Sequence, residues 1–106
     1  MTILVKEGVR FKAFKHCFFD FAACIVKVWG EVGLIPTITS ANDAFHVQTS
    51  FHYTDQAWDL RVWGLKHPAL TANDLRIALT KTDSRFQVIY GDPKHLDHIH
   101  VEYDDR

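Results

Sequence analysis

Ser50-Phe51-His52-Tyr53-Thr54-Asp55-Gln56-Ala57-Trp58-Asp59-Leu60-Arg61-Val62-Trp63 is the stretch on which the fold turns. From Gln56 to Trp63 the residues alternate. Ala57, Asp59 and Arg61 fall on one face, and Trp58, Leu60 and Val62 on the other. Successive side chains of a strand point to opposite sides, so the pattern predicts a strand with one apolar and one polar face.

Downstream, Phe86 to Tyr90 and His98 to Tyr103 read as two more strands, joined through Gly91-Asp92-Pro93. His98, His100 and Glu102 would share one face of the last strand. Upstream, Ile35 to Ser40 has the β-branched character of a short strand, and residues 41–49 lack a period and read as a loop. Residues 12–32 predict a long N-terminal helix. Lys12, His16, Asp20, Lys27 and Glu31 mark one polar stripe, and most of the remaining surface is apolar. So wide an apolar surface implies deep packing against a sheet. Gly30, Gly33 and Pro36 should end that helix. A second, shorter helix should run from Thr71 to about Lys81, because Thr71-Ala72-Asn73-Asp74 has the form of a capping box. The predicted class is α+β, a small antiparallel β-sheet with both helices packed on it, forming a single domain over residues 1–106.

The chain is 47% hydrophobic and 24% charged, with a net charge of −1 and no Lys/Arg run. That balance offers no footprint for nucleic acid and no basic patch for a membrane surface. The longest apolar stretch, Phe18 to Trp29, is interrupted by Asp20 and Lys27 and is too short to span a bilayer. The first residues have neither the basic start nor the apolar core of a signal peptide, so the expectation is a chain that is cytoplasmic as made. Cys17 and Cys24 are the two cysteines. On one helix they would lie two turns apart, roughly 10 Å, too far for a disulfide.

His52, Asp59 and His100 offer two imidazoles and a carboxylate, and Asp97 adds a carboxylate three residues before the last histidine. A catalytic zinc site uses three protein ligands, an open position for water, and a base for that water's proton. Calcium or magnesium would want more oxygen donors. Because a regular strand sends residues three apart to opposite faces, Asp97 can serve as the base only from the turn before the last strand. His16, His67 and His95 read as ordinary surface or hydrogen-bonded histidines.

The stretch from Ser50 to Asp59 resembles the S-x-H-x-x-G-x-A-x-D motif of zinc peptidases related to D-alanyl-D-alanine carboxypeptidases, a group that also holds lysostaphin-type enzymes and the hedgehog fold. Asp97-His98-Ile99-His100 is similar to the closing strand of that family. The surrounding wording, Thr39 to Asp43 and Asp59-Leu60-Arg61, is similar to small peptidoglycan peptidases of bacteriophages and their hosts. The resemblance covers residues 36–103.

It implies one Zn2+ per chain, held by His52, Asp59 and His100, with Asp97 as general base and His98 helping to stabilise the tetrahedral intermediate. Ser50 would donate a hydrogen bond near the substrate or hold the zinc loop, and His46 sits where such sequences often carry a histidine. The implied activity is a zinc metallopeptidase, a hydrolase of the peptidoglycan stem peptide. It would act either as a D,D-carboxypeptidase or as an L-alanyl-D-glutamate-type endopeptidase. A bacteriophage role in cell wall degradation would need release or particle delivery to reach the wall. The expected partner is the stem peptide, with no nucleic acid, no membrane insertion and a monomeric state.

Asp55 stands where the family has glycine, a position suggesting positive φ, which Asp tolerates better than most residues. A carboxypeptidase needs a cation for the substrate's terminal carboxylate. Arg61 is the nearest to the ligands in sequence, and Lys6 or Arg10 could contribute if the N-terminal segment folds back. Trp58 and Trp63 read as core or sheet-face packing. A non-catalytic, zinc-stabilised module that binds cell wall or serves a phage structure is the alternative reading.

Overall fold

The computed structural model describes residues 2–42 and 51–106, with the backbone alone for His52 and Tyr53. In chain order the elements are β1 (Leu4–Val5), α1 (Cys17–Glu31), β2 (Thr37–Ser40), a 3-10 turn (Phe51–Thr54), β3 (Ala57–Arg61), α2 (Pro68–Thr82), β4 (Phe86–Ile89) and β5 (His98–Tyr103). The strands form one sheet in the order β1-β2-β3-β5-β4. The alternating stretch therefore supplies the central strand, flanked by β2 and β5. Alternation puts Trp58, Leu60, Ile99, Val101 and Tyr103 on the apolar face, all but shut off from solvent. The two helices cover that face, and Phe21 of α1 stands 5.2 Å from the Trp58 ring and 5.5 Å from Phe86. Burying each such side chain stabilises the fold by roughly 1.5–3 kcal/mol.

The class is α+β as expected, but the sheet is mixed. Leu4 and Val5 pair parallel with Thr37 and Ile38, a strand the sequence reading did not assign. All other pairings are antiparallel.

The first helix is also shorter than residues 12–32. Tertiary hydrogen bonds occupy the segment before it: the Lys12 N–H donates to Asp55 Oδ1 at 3.2 Å, and the Arg10 carbonyl accepts from the Asn42 N–H at 2.7 Å. With no side-chain cap at His16, the helix begins only at Cys17. It buries Cys17, Phe21, Ile25, Val28 and Trp29 as a single stripe, so Phe19 stays 69% exposed despite the breadth of the apolar surface. The end follows expectation. Gly33 at φ 75° closes a Schellman motif, in which Leu34 N–H donates to Trp29 O and Gly33 N–H to Gly30 O.

Helix α2 starts earlier than Thr71, because Pro68 occupies the first turn, where its missing N–H costs nothing and its φ is preset. Thr71 is buried inside the helix rather than capping it. Arg76 donates to the Val88 carbonyl at 2.8 Å and ties α2 to β4. Among the described residues, no helix is long and apolar enough to cross a membrane. Both cysteines are free, and burial pushes the Cys17 thiol up to about 11.

Candidate metal centre

The antiparallel register of β3 and β5 sets Asp59 opposite His100, Arg61 opposite His98 and Ala57 opposite Glu102. All six project from the sheet face that the helices leave open, as strand alternation requires. His100 Nδ1 lies 2.9 Å from Asp59 Oδ1, and His100 Nε2 lies 2.7 Å from Glu102 Oε1. The His100 and Asp59 side chains are only 10% and 14% exposed. Burial alone would lower the affinity of His100 for its proton. The hydrogen bonds to Asp59 and Glu102 outweigh it and push the imidazole up to about 9.

Asp97 lies in the turn immediately before β5, the placement that its spacing from His100 demands. Its carboxylate accepts from His98 Nδ1 at 2.6 Å, which holds its pKa below the usual range, and its side chain is 91% exposed. His98 Nε2 in turn lies 3.7 Å from Asp59 Oδ1. His98 therefore stands between Asp97, to which it is hydrogen-bonded, and Asp59, with which it is in ion-pair range only. Both Asp59 and Asp97 line the same cleft.

His95, an ordinary hydrogen-bonded or surface histidine by its sequence context, does hydrogen-bond to Asp92 at 2.6 Å. Its ring nevertheless stands 5.2 Å from that of His98 and 5.4 Å from that of His100, which makes it part of the cluster. Glu102 is the other residue the sequence reading left without a role. The His-x-His-x-Glu alternation of β5 was the signal that could have found it. His95 had no such signal, because the loop brings it to the strand from outside any periodic element.

The remaining expected residues are placed unevenly. His46 and Ser50 lie outside the described residues. The backbone of His52 sits on the 3-10 turn that leads into β3, and its side chain lies outside the described residues. Asp55 has φ 58°, as the glycine position of the motif suggests. Its carboxylate accepts from Lys12 N–H at 3.2 Å and Asn42 Nδ2 at 3.1 Å, so it holds the N-terminal segment and the end of β2 to the turn. Arg61 shares the face of Asp59, and its guanidinium lies 3.8 Å over the Trp63 ring. Trp58 is core, but Trp63 is 74% exposed, against the expectation of packing.

Whether a zinc ion suits these residues turns on donor chemistry. Among the described residues, no group of three or more His, Cys, Asp or Glu side chains could hold a metal ion. Asp59 and His100 supply one oxygen and one nitrogen side by side, and Glu102 holds the far ring nitrogen as an outer carboxylate holds a metal-binding histidine. The described pair fits two places of an Asp/His zinc set, and the third would fall to His52. No protein-family model, curated protein or solved structure matches this chain.

Proposed function

We propose that this chain is a zinc metallopeptidase with the fold of the D-alanyl-D-alanine carboxypeptidase and hedgehog group, hydrolysing an amide bond in the peptide part of peptidoglycan. The observation that carries the reading is the Asp59–His100 register pair, with Asp97 in the turn beside it. Zinc bound there would lower the pKa of its water and polarise the scissile carbonyl. His52, Asp59 and His100 would hold the ion, with Glu102 fixing the ring orientation of His100 through its 2.7 Å contact to Nε2. Asp97 would take the proton of the attacking water and pass it to the leaving amine, a role that its place in the turn beside the Asp59–His100 pair supports. His98 orients Asp97 through its Nδ1 and faces the reacting centre with Nε2.

Zinc content of the purified protein, together with release of new amino termini from purified peptidoglycan, tests this reading. About one zinc per chain and zinc-dependent release are expected. Inert zinc-loaded protein, combined with unchanged metal content in His52→Ala, would sink it.

The 91% exposure of Asp97 favours the alternative, a zinc-stabilised module that binds wall without cleaving it. Such a module would bind peptidoglycan equally well as wild type and as Asp97→Ala, and would release no amino termini.

A further inference from the structure

A cavity of about 330 Å³ opens where the end of α1 meets the loop from β3 into α2. It shares no lining residue with the cleft beside Asp59 and Asp97. Val32, Leu65 and Leu70 give it apolar walls, and Val32 and Leu70 stay 52% and 61% exposed. Apolar surface left open at the mouth of a concave site is what the apolar body of a ligand covers. An enclosed volume of about 150 Å³ holds a benzene ring, so this one takes a body of up to about a dozen non-hydrogen atoms.

The polar end of the cavity is the start of α2. A helix leaves its first N–H groups without intrahelical partners and carries partial positive charge there. No side chain caps α2, Pro68 has no N–H, and Thr71 N–H donates to the His67 carbonyl at 3.1 Å, which leaves the N–H groups of Ala69 and Leu70. Thr71 points to a ligand. It lines the cavity and is only 5% exposed, yet its hydroxyl has no hydrogen-bond partner among the described residues. Thr80, in the same helix, instead donates to the Arg76 carbonyl at 2.7 Å. Among the described residues every side-chain oxygen fully shut off from solvent has a partner, so the Thr71 hydroxyl opens onto the cavity. Lys66 adds a positive charge with no ion-pair partner among the described residues. Asp74, three residues beyond Thr71, adds one negative charge to the lining. That carboxylate disfavours phosphate and other dianions, whereas Lys66 and the helix start together outweigh it for a monoanion.

We propose that this cavity is a binding site for a short-chain alkyl carboxylate. The carboxylate accepts from the Thr71 hydroxyl and the free N–H groups of α2, and the alkyl chain lies against Val32, Leu65 and Leu70. The site is independent of the hydrolase reading and needs no metal.

Titration of hexanoate, hexanol and hexylamine into the isotope-labelled full chain near neutral pH, followed by amide chemical shifts, tests the proposal. Hexanoate should bind about tenfold tighter than hexanol, the scale of a charge-assisted hydrogen bond, and hexylamine no tighter than hexanol. The shifts should be confined to the end of α1 and to residues 64–74. Thr71→Val keeps the shape of the side chain without its hydroxyl and should weaken hexanoate about threefold to tenfold, and Thr71→Ser should restore most of the loss. Lys66→Met should weaken it about threefold, and Asp74→Asn should tighten it about twofold. Circular dichroism of each variant shows whether the fold persists, and the comparison of three ligands on the wild type stands even where a variant does not fold. No binding of hexanoate, equal binding of hexanoate and hexanol, shifts centred on the strands of Asp59 and His100, or unchanged affinity in folded Thr71→Val would each overturn the site.

Discussion

Asp59 and His100 face each other across the β3–β5 ladder with Oδ1 2.9 Å from Nδ1, and Glu102 holds the opposite nitrogen of the same ring. In the proposed zinc site the three residues would divide into two donors and one support. If zinc binds there, removing a donor should abolish binding, whereas removing the support should only weaken it. Asp59→Asn and His100→Gln are expected to purify with little zinc. Glu102→Gln should still reach full occupancy at saturation, with affinity reduced about 10–100-fold. Competition against a zinc-responsive chelating dye separates the two patterns. Equal loss in all three variants would mean that Glu102 is itself a donor.

Asp97 and His98 form the next layer. Asp97→Asn keeps the size of the side chain and its contact with His98 but cannot accept a proton. Turnover on stem peptide should fall by about 10²–10⁴, the range of a general base, while zinc content stays at the wild-type value. A drop of less than threefold would remove Asp97 from the chemistry.

Much of this arrangement could be read in the sequence because periodicity carries it. The alternation from Gln56 to Trp63 predicts a strand and the face of Asp59, although β3 itself is shorter, Ala57–Arg61, and the last strand matches its expected bounds, His98–Tyr103. What was not legible depends on contacts between distant residues. Leu4 and Val5 are a strand only because β2 lies beside them, and two residues offer no period to detect. The helix expected from Lys12 starts at Cys17 because Asp55, far along the chain, claims the Lys12 N–H. Trp63 looked like packing because tryptophan usually is, yet it follows β3 into the open and carries Arg61 on its face. His95 joins the histidine cluster through a loop, where no spacing rule applies.

Asp55 combines a backbone requirement with two hydrogen bonds. Its φ of 58° favours Gly, Asn or Asp, and its Oδ1 accepts from Lys12 N–H and from Asn42 Nδ2. Asp55→Asn preserves the conformation and an acceptor oxygen, and should change stability by less than about 0.5 kcal/mol. Asp55→Ala loses both bonds and places a Cβ in the left-handed region without compensation, at a cost of about 2–3 kcal/mol. Asp55→Gly should fall between them, since it regains conformational freedom but not the acceptor. Urea unfolding gives the ranking. An alanine variant no less stable than the glycine variant would show that the backbone conformation at Asp55 carries no cost.

Cys17 opens α1 with no accessible surface, and its thiol donates weakly to the Asp55 carbonyl at 3.9 Å. Burial is the main reason that its pKa rises from 9.0 to about 11. The fold therefore favours the neutral thiol. The sign follows from proton counting: between pH 9 and 11 the unfolded chain has released this proton and the folded chain has kept it. The stability contribution is full below about pH 9 and is lost as pH rises through about 11, amounting to roughly 2–3 kcal/mol for a shift of this size. Cys17→Ala removes the titration along with the sulfur. The difference in unfolding free energy between wild type and Cys17→Ala should be constant from pH 6 to 8 and should move against the wild type between pH 9 and 11. Using the difference cancels the titration of lysines and tyrosines common to both proteins. Parallel curves across that window would mean that the Cys17 thiolate is accommodated in the fold, and that the helix start opens more readily than its burial implies.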